Sequence, residues 1–281
     1  MSDVPYPPQR QLSVGEVLDL SFRIYRATLG KCLLFAGCGV ITGQLANIYT
    51  LVKGRSPAPA GAALEQLLAQ ARDPRTWALY FVGGVLTAVF YAAVLLRQRA
   101  MINDAAIGGE VAAALGRVPA LVGLGLLVLL GCAACFVPAF LTGGAVRGVL
   151  AVAGVFALCY GFVAISCAQT VLFIEGTGPA ASIARSLRLT SGSFWRLSVI
   201  YTVALIVLIA LYAVSAALAG FVAGVLGRGD LTMVTAFAEV VGVVLGALAT
   251  PFYGALALAV LADLKVRREG ADLEQRISAT A

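Results

Sequence analysis

The chain is expected to be an all-α membrane protein with about six transmembrane helices and amphipathic helices at the membrane surface. Three observations lead there. Of 281 residues, 60% are hydrophobic and 12% charged, more apolar surface than a water-soluble fold of this length can hide. The apolar residues fall into runs that reach or exceed the roughly 20 needed to cross a ~30 Å hydrocarbon core. These runs are almost free of charge.

In chain order, residues 1–10 read as a disordered tail with three prolines. The first long apolar run begins only after Lys31, so the chain shows no cleavable signal pattern, and the first span reads as an uncleaved anchor. Before it, Leu12 to Leu29 plots at helical spacing, with Glu16, Asp19, Arg23 and Arg26 on one narrow arc. Val14, Val17, Leu18, Phe22, Ile24, Tyr25 and Leu29 fill most of the remainder, as in a helix lying in the interface. Asp19 and Arg23, four apart, can pair on that arc. Such a helix either packs on the bundle or serves lipid sensing or partner docking.

The spans then read Cys32 to Val52, Trp77 to Leu96, Pro119 to Leu141, Ala145 to Ile174, Phe194 to Leu226 and Met233 to Leu264. The last three exceed a perpendicular crossing, so tilt, kinking or protrusion must absorb the excess. Pro251 is the expected kink, since it lacks a backbone donor and crowds the preceding turn. Two further surface segments, Asn103 to Arg117 and Gly178 to Thr190, precede the third and fifth spans. The single membrane domain, 11–265, thus parses into three units of surface segment plus two spans, 11–100, 103–174 and 178–265. Residues 266–281 form a C-terminal tail.

Orientation follows from the 20 basic residues. With the N-terminus inside, 14 fall on the cytoplasmic side and six, Lys53, Arg55, Arg72, Arg75, Arg147 and Arg228, on the other, which places both termini in the cytoplasm. The net charge of +6 then reflects topology and anionic headgroups, with no nucleic-acid partner implied.

Two segments carry a family resemblance. One is Leu12-Ser13-Val14-Gly15-Glu16-Val17-Leu18-Asp19 with trailing Phe22-Arg23-Ile24-Tyr25-Arg26. The other runs from Ile174-Glu175-Gly176-Thr177-Gly178-Pro179 through Ala184-Arg185-Ser186-Leu187-Arg188-Leu189-Thr190 to Gly192-Ser193-Phe194-Trp195-Arg196. Together they resemble uncharacterised bacterial multi-pass proteins related to the membrane domain attached to some glycerophosphodiester phosphodiesterases. The resemblance implies a six-helix domain of the bacterial inner membrane without an assigned activity. The phosphodiesterase domain itself is missing and too large to fit in these loops.

The second segment also has a direct physical reading. Gly176 and Gly178 permit a sharp turn after Glu175, and Pro179 suits a first helical turn. Glu175 paired with Arg185 or Arg188 would pin the surface helix, while Trp195 and Arg196 mark the interface. The alternative is an anionic headgroup bound among Arg185, Arg188 and Arg196.

Catalytic residues, metal ligands and cofactors are not indicated. The chain has no histidine, which removes the commonest general base and the usual zinc sites, and no phosphate-cradling glycine loop occurs. Six cysteines, Cys32, Cys38, Cys132, Cys135, Cys159 and Cys167, lie in apolar segments and read as packing residues. The glycine pairs Gly39/Gly43, Gly144/Gly148, Gly220/Gly224 and Gly242/Gly246 permit close helix approach, within the bundle or in a homodimer. Glu239, with Gln44, Asn47 and Gln169, is the candidate for a polar cavity, unless Glu239 lies in the far headgroup layer. The function expected is a scaffold or accessory protein modulating a partner or the surrounding lipid. The alternative is a small transporter or lipid-handling permease with its cavity near Glu239.

Overall fold

The computed structural model describes residues 6–8, 10–52, 73–226 and 231–270. Every regular element among them is an α-helix: α1 (Val14–Gly43), α2 (Leu45–Val52), α3 (Pro74–Ile102), α4 (Glu110–Leu115), α5 (Val118–Phe140), α6 (Gly144–Ala164), α7 (Ala168–Glu175), α8 (Pro179–Thr190), α9 (Phe194–Leu226) and α10 (Leu231–Glu269). Six stretches are long and apolar enough to cross a membrane, supplied by α1, α3, α5, α6 with α7, α9 and α10. The chain is a multi-pass α-helical membrane protein.

Local chemistry accounts for where these helices begin and end. Ser13 and Glu16 form a reciprocal capping box at the start of α1, satisfying amides that have no partner in the first turn. Asp73 caps α3, and Pro74 occupies its first turn, where a missing N–H costs nothing. The end of α7 is fixed by Gly176 at φ +75°, a left-handed conformation in which a side chain would be strained. Pro179 then opens α8.

The structure differs from the sequence reading at three places. Leu12 to Leu29 does not form a separate helix at the surface, because no residue between Arg26 and Ala36 interrupts helical hydrogen bonding, and α1 runs unbroken into the span. Its apolar side is spent on the bundle: Val17, Leu20 and Ile24 are buried with Phe252, Leu256 and Val260 of α10. Between them the hydroxyls of Ser21 and Thr28 return to the Val17 and Ile24 carbonyls at 2.7 and 2.8 Å. The first span breaks instead at Gln44, between α1 and α2.

The fourth run is likewise two helices, separated at Ile165–Cys167. Freed by that break, the Ala164 carbonyl accepts from Ser186 Oγ at 2.9 Å and Thr190 Oγ1 at 3.0 Å, both on α8. The third departure concerns the tails. The C-terminal tail starts later than expected because α10 continues to Glu269, and in the N-terminal tail Tyr6 packs on the core while Arg10 pairs with Glu16. Residues 1–5, 9 and 271–281, the last stretch including Arg276, and Lys53, Arg55, Arg72 and Arg228 lie outside the described residues.

α10 is the central helix. Its second half is buried against α1, α7, α8 and α9, whereas α5 and α6 leave most of their side chains outward. Outward leucine, valine and phenylalanine are expected where the solvent is lipid. Glycines set the tightest crossing, α1 on α3. A Cβ on Gly83 would stand 2.6 Å from the Thr42 carbonyl oxygen, and one on Gly39 3.1 Å from Phe90 Cβ.

Pro251 does lie within α10. Beside it the fully buried Gln98 of α3 donates Nε2–H to the Pro251 carbonyl at 2.8 Å and to Thr28 Oγ1 at 3.2 Å. One amide thereby ties three helices at the position where the ladder is weakest.

Candidate functional site

Charge collects at one end of the bundle, and there it is arranged in three clusters. In the first, Asp263 near the end of α10 is 1% exposed and accepts from the Leu12 backbone N–H at 2.8 Å. Arg196 at the start of α9 and Arg267 one turn further along α10 donate to the same carboxylate. Both arginines also donate to the Leu12 carbonyl. A buried carboxylate surrounded by three donors is compensated, which burial requires. It joins the chain's beginning to its last helix, so both lie at one end of the bundle.

In the second cluster, Glu175 accepts from Arg185 at 3.1 Å and Lys265 at 2.7 Å, and Arg185 also pairs with Glu269. Next to it the last carbonyls of α7 are capped by cations: Arg99 donates to Ile174 O at 2.6 Å and Arg117 to Leu172 O. Cations suit a helix C-terminus, where the backbone dipole is negative. The third cluster is Arg97, which holds Glu110 bidentately at 3.0 and 3.1 Å, donates to Lys31 O at 3.2 Å, and lies 4.3 Å over the Phe35 ring. The Arg97 hydrogen bonds keep the Glu110 carboxyl below the usual carboxylate range.

A second feature lies along the spans. Between α1, α3, α7 and α10 runs a groove of about 660 Å³, lined by Gly39, Gly43, Gly84, Thr87, Tyr80, Tyr91, Gln169, Thr250 and Tyr253, with Val40 and Ala88. Along α3, Tyr91 and Tyr80 stand roughly 9 and 26 Å from Arg97, so the groove occupies hydrocarbon depth. Among the described residues its wall holds hydroxyls and an amide but no ionisable acid or base other than tyrosine. Tyr253 also borders a smaller, mostly apolar groove of about 440 Å³ between α9 and α10.

The residues expected from sequence distribute over these features as follows. Glu175 and Arg185 meet as the elbow requires. Arg188 is exposed apart from them, Trp195 is 81% exposed at the start of α9, and Arg196 is taken by Asp263. Two of the three arginines thus already hold carboxylates of the chain. On α1, Asp19, Arg23 and Arg26 face outward, whereas Glu16 pairs with Arg10.

Of the cavity candidates, Gln169 lines the groove. Gln44 accepts from Asn47 at 2.5 Å, and Asn47 from the groove's Tyr80 at 3.5 Å. Glu239 is exposed and does not line it. It precedes Asp263 by 24 residues of α10, roughly 36 Å, a full hydrocarbon thickness away from the charged end.

Sequence reasoning missed Asp263, Glu110 and Gln98. The local signal for Asp263 was its four-residue spacing to Arg267, but its other partners, Leu12 and Arg196, are remote in sequence. Glu110 gave no signal beyond lying in the second surface segment. Comparison with family models, with curated proteins and with solved structures returned no match, so the membrane-domain resemblance of Leu12 to Arg26 and Ile174 to Arg196 has no support from them.

Proposed function

We propose that this protein is a non-catalytic accessory protein or scaffold of a bacterial inner membrane, which presents one fixed face to a partner and modulates the lipid around it. Its charged end, by the bias of lysine and arginine, faces the cytoplasm with both termini. The observation that carries this reading is the pairing of Glu110, Glu175, Glu269 and Asp263 with Arg97, Arg185, Lys265, Arg196 and Arg267. Carboxylates so engaged brace helices. A general base or a proton carrier has instead to exchange its proton with a substrate or with water.

The transporter reading draws no support from Glu239, which lies about two turns inside α10, is exposed and is not among the residues that line the groove. Its remaining support is the groove. Reconstitution into phosphatidylethanolamine and phosphatidylglycerol vesicles separates the two. An accessory protein adds no proton or solute flux above protein-free vesicles, and Glu239→Gln melts and behaves like wild type. Protein-dependent flux that Glu239→Gln abolishes would restore the carrier reading and remove this one.

A further inference from the structure

The groove between α1, α3, α7 and α10 combines three properties. It lies at hydrocarbon depth; its floor is glycine, with nothing within 4 Å of a Cβ at Gly84, while Gly39 and Gly43 let α1 close on α3 behind it; and it carries polar groups that the described residues do not satisfy. Thr87 Oγ1 donates to Gly39 O at 2.9 Å and Thr250 Oγ1 to Gly246 O at 2.7 Å, so those hydroxyl protons are spent. The Gln169 amide and the Tyr91 and Tyr253 hydroxyls make no hydrogen bond among the described residues. In water that would mean nothing. In lipid an unmet amide costs several kcal/mol, and a chain that keeps glutamine there beside phenols gains something from it.

We propose that this groove binds one uncharged amphiphile, whose carbonyl or hydroxyl group hydrogen-bonds Gln169 and the flanking tyrosines while its apolar body lies along the glycine floor. Charge complementarity selects the class. Among the described residues neither lysine nor arginine lines the groove, so a phosphate headgroup would meet no counter-charge from them, at a cost of several kcal/mol or more. An amide offers both donor and acceptor, and a phenol does too; both match a neutral oxygen ligand. Two kinds of lipid share that chemistry, a quinone ring with carbonyls and a glyceride with a hydroxyl and esters. This inference goes beyond the accessory reading, because binding and transport are separate measurements.

The floor supplies the test. A Cβ added at Gly84 meets nothing within 4 Å, so Gly84→Phe adds bulk at a lining position of the groove where the fold leaves the Cβ unopposed. The full chain in nanodiscs is titrated with decylubiquinone and separately with dioleoylglycerol, with dioleoylphosphatidylglycerol as the charged control, and bound lipid is read by native mass spectrometry. Wild type retains one neutral probe in preference to the control; decylubiquinone assigns the ring carbonyl and dioleoylglycerol the glyceride. Gly84→Phe lowers that retention roughly tenfold or more with an unchanged melting temperature. Gln169→Leu lowers it roughly fivefold, the effect of one net hydrogen bond, and raises the melting temperature of the empty protein by removing an unmet amide. Retention of the control as strongly as either neutral probe, or neutral-probe retention untouched by both substitutions, overturns the proposal. Should Gly84→Phe misfold, Gln169→Leu decides alone. Flux through reconstituted vesicles would count against the accessory reading and leave this one standing.

Discussion

Asp263 is buried at 1% exposure with Arg196 and Arg267 on its carboxylate and the Leu12 amide as third donor. Replacing it by asparagine keeps the shape and removes the charge, leaving two guanidinium groups without their anion. Those groups remain 19% and 25% exposed, so water softens the loss. The expected cost is about 2–3 kcal/mol, below the ~3–5 of a fully buried pair, read as a lowered melting temperature in detergent. Arg188→Gln, on an exposed side chain, should change stability by under about 0.5 kcal/mol; equal effects from the two would deny Asp263 its bracing role. Glu110 gives a pH test. Because the Arg97 hydrogen bonds hold its folded carboxyl below the ordinary value, its contribution is complete above the unfolded value of roughly 4.3 and is lost as pH falls through the lower folded one. Wild-type stability should therefore decline on that acid limb more steeply than that of Glu110→Gln.

At the level of helices, hydropathy located the six membrane-crossing stretches because the bilayer imposes one length on all of them. It could not find the breaks. Cys159 to Ile174 carries neither a charge nor a proline, and what stabilises the interruption at Ile165–Cys167 is a pair of hydroxyls on α8, more than twenty residues away, both donating to Ala164 O. The continuity of α1 was hidden for the opposite reason: its polar arc suggested a surface helix, whereas its buried side is committed to α10. The break makes a measurable claim. Combining Ser186→Ala with Thr190→Val should cost about 1–2 kcal/mol, near the sum of two hydrogen bonds between membrane helices. Ser215→Ala is the control, since that hydroxyl is exposed and only returns to Leu211 of its own helix, and its melting temperature should not move.

Across the whole molecule, the spacing of small residues showed which helices can approach closely but not which do, because a glycine pair looks the same facing a neighbour or facing lipid. The candidate groove was legible to a similar degree: Gln169 stood out as a polar residue in an apolar run, yet Tyr80, Tyr91 and Tyr253 become its neighbours only once α3, α7 and α10 are packed. The structure divides the glycine pairs. Gly39 and Gly43 meet Phe90 and Thr87 of α3, and Gly246 meets Val40 of α1, whereas Gly144, Gly148, Gly220 and Gly224 have no atom within 4 Å of an added Cβ. For these last four, no described residue of the bundle supplies a close contact, and the alternatives to test are lipid and a second copy of the chain. Converting Gly220 and Gly224 together to leucine should leave the fold intact and add helix propensity of up to roughly 1 kcal/mol per position, so melting should stay level or rise. Gly83→Ala, which drives a methyl against the Thr42 carbonyl oxygen, should lower it by about 1–3 kcal/mol. If α9 faces only lipid, native mass spectra of wild type and of the double leucine variant show the same mass; a dimer present in the former and absent from the latter assigns this face to a partner copy, with the melting curve showing that the bundle itself is unharmed.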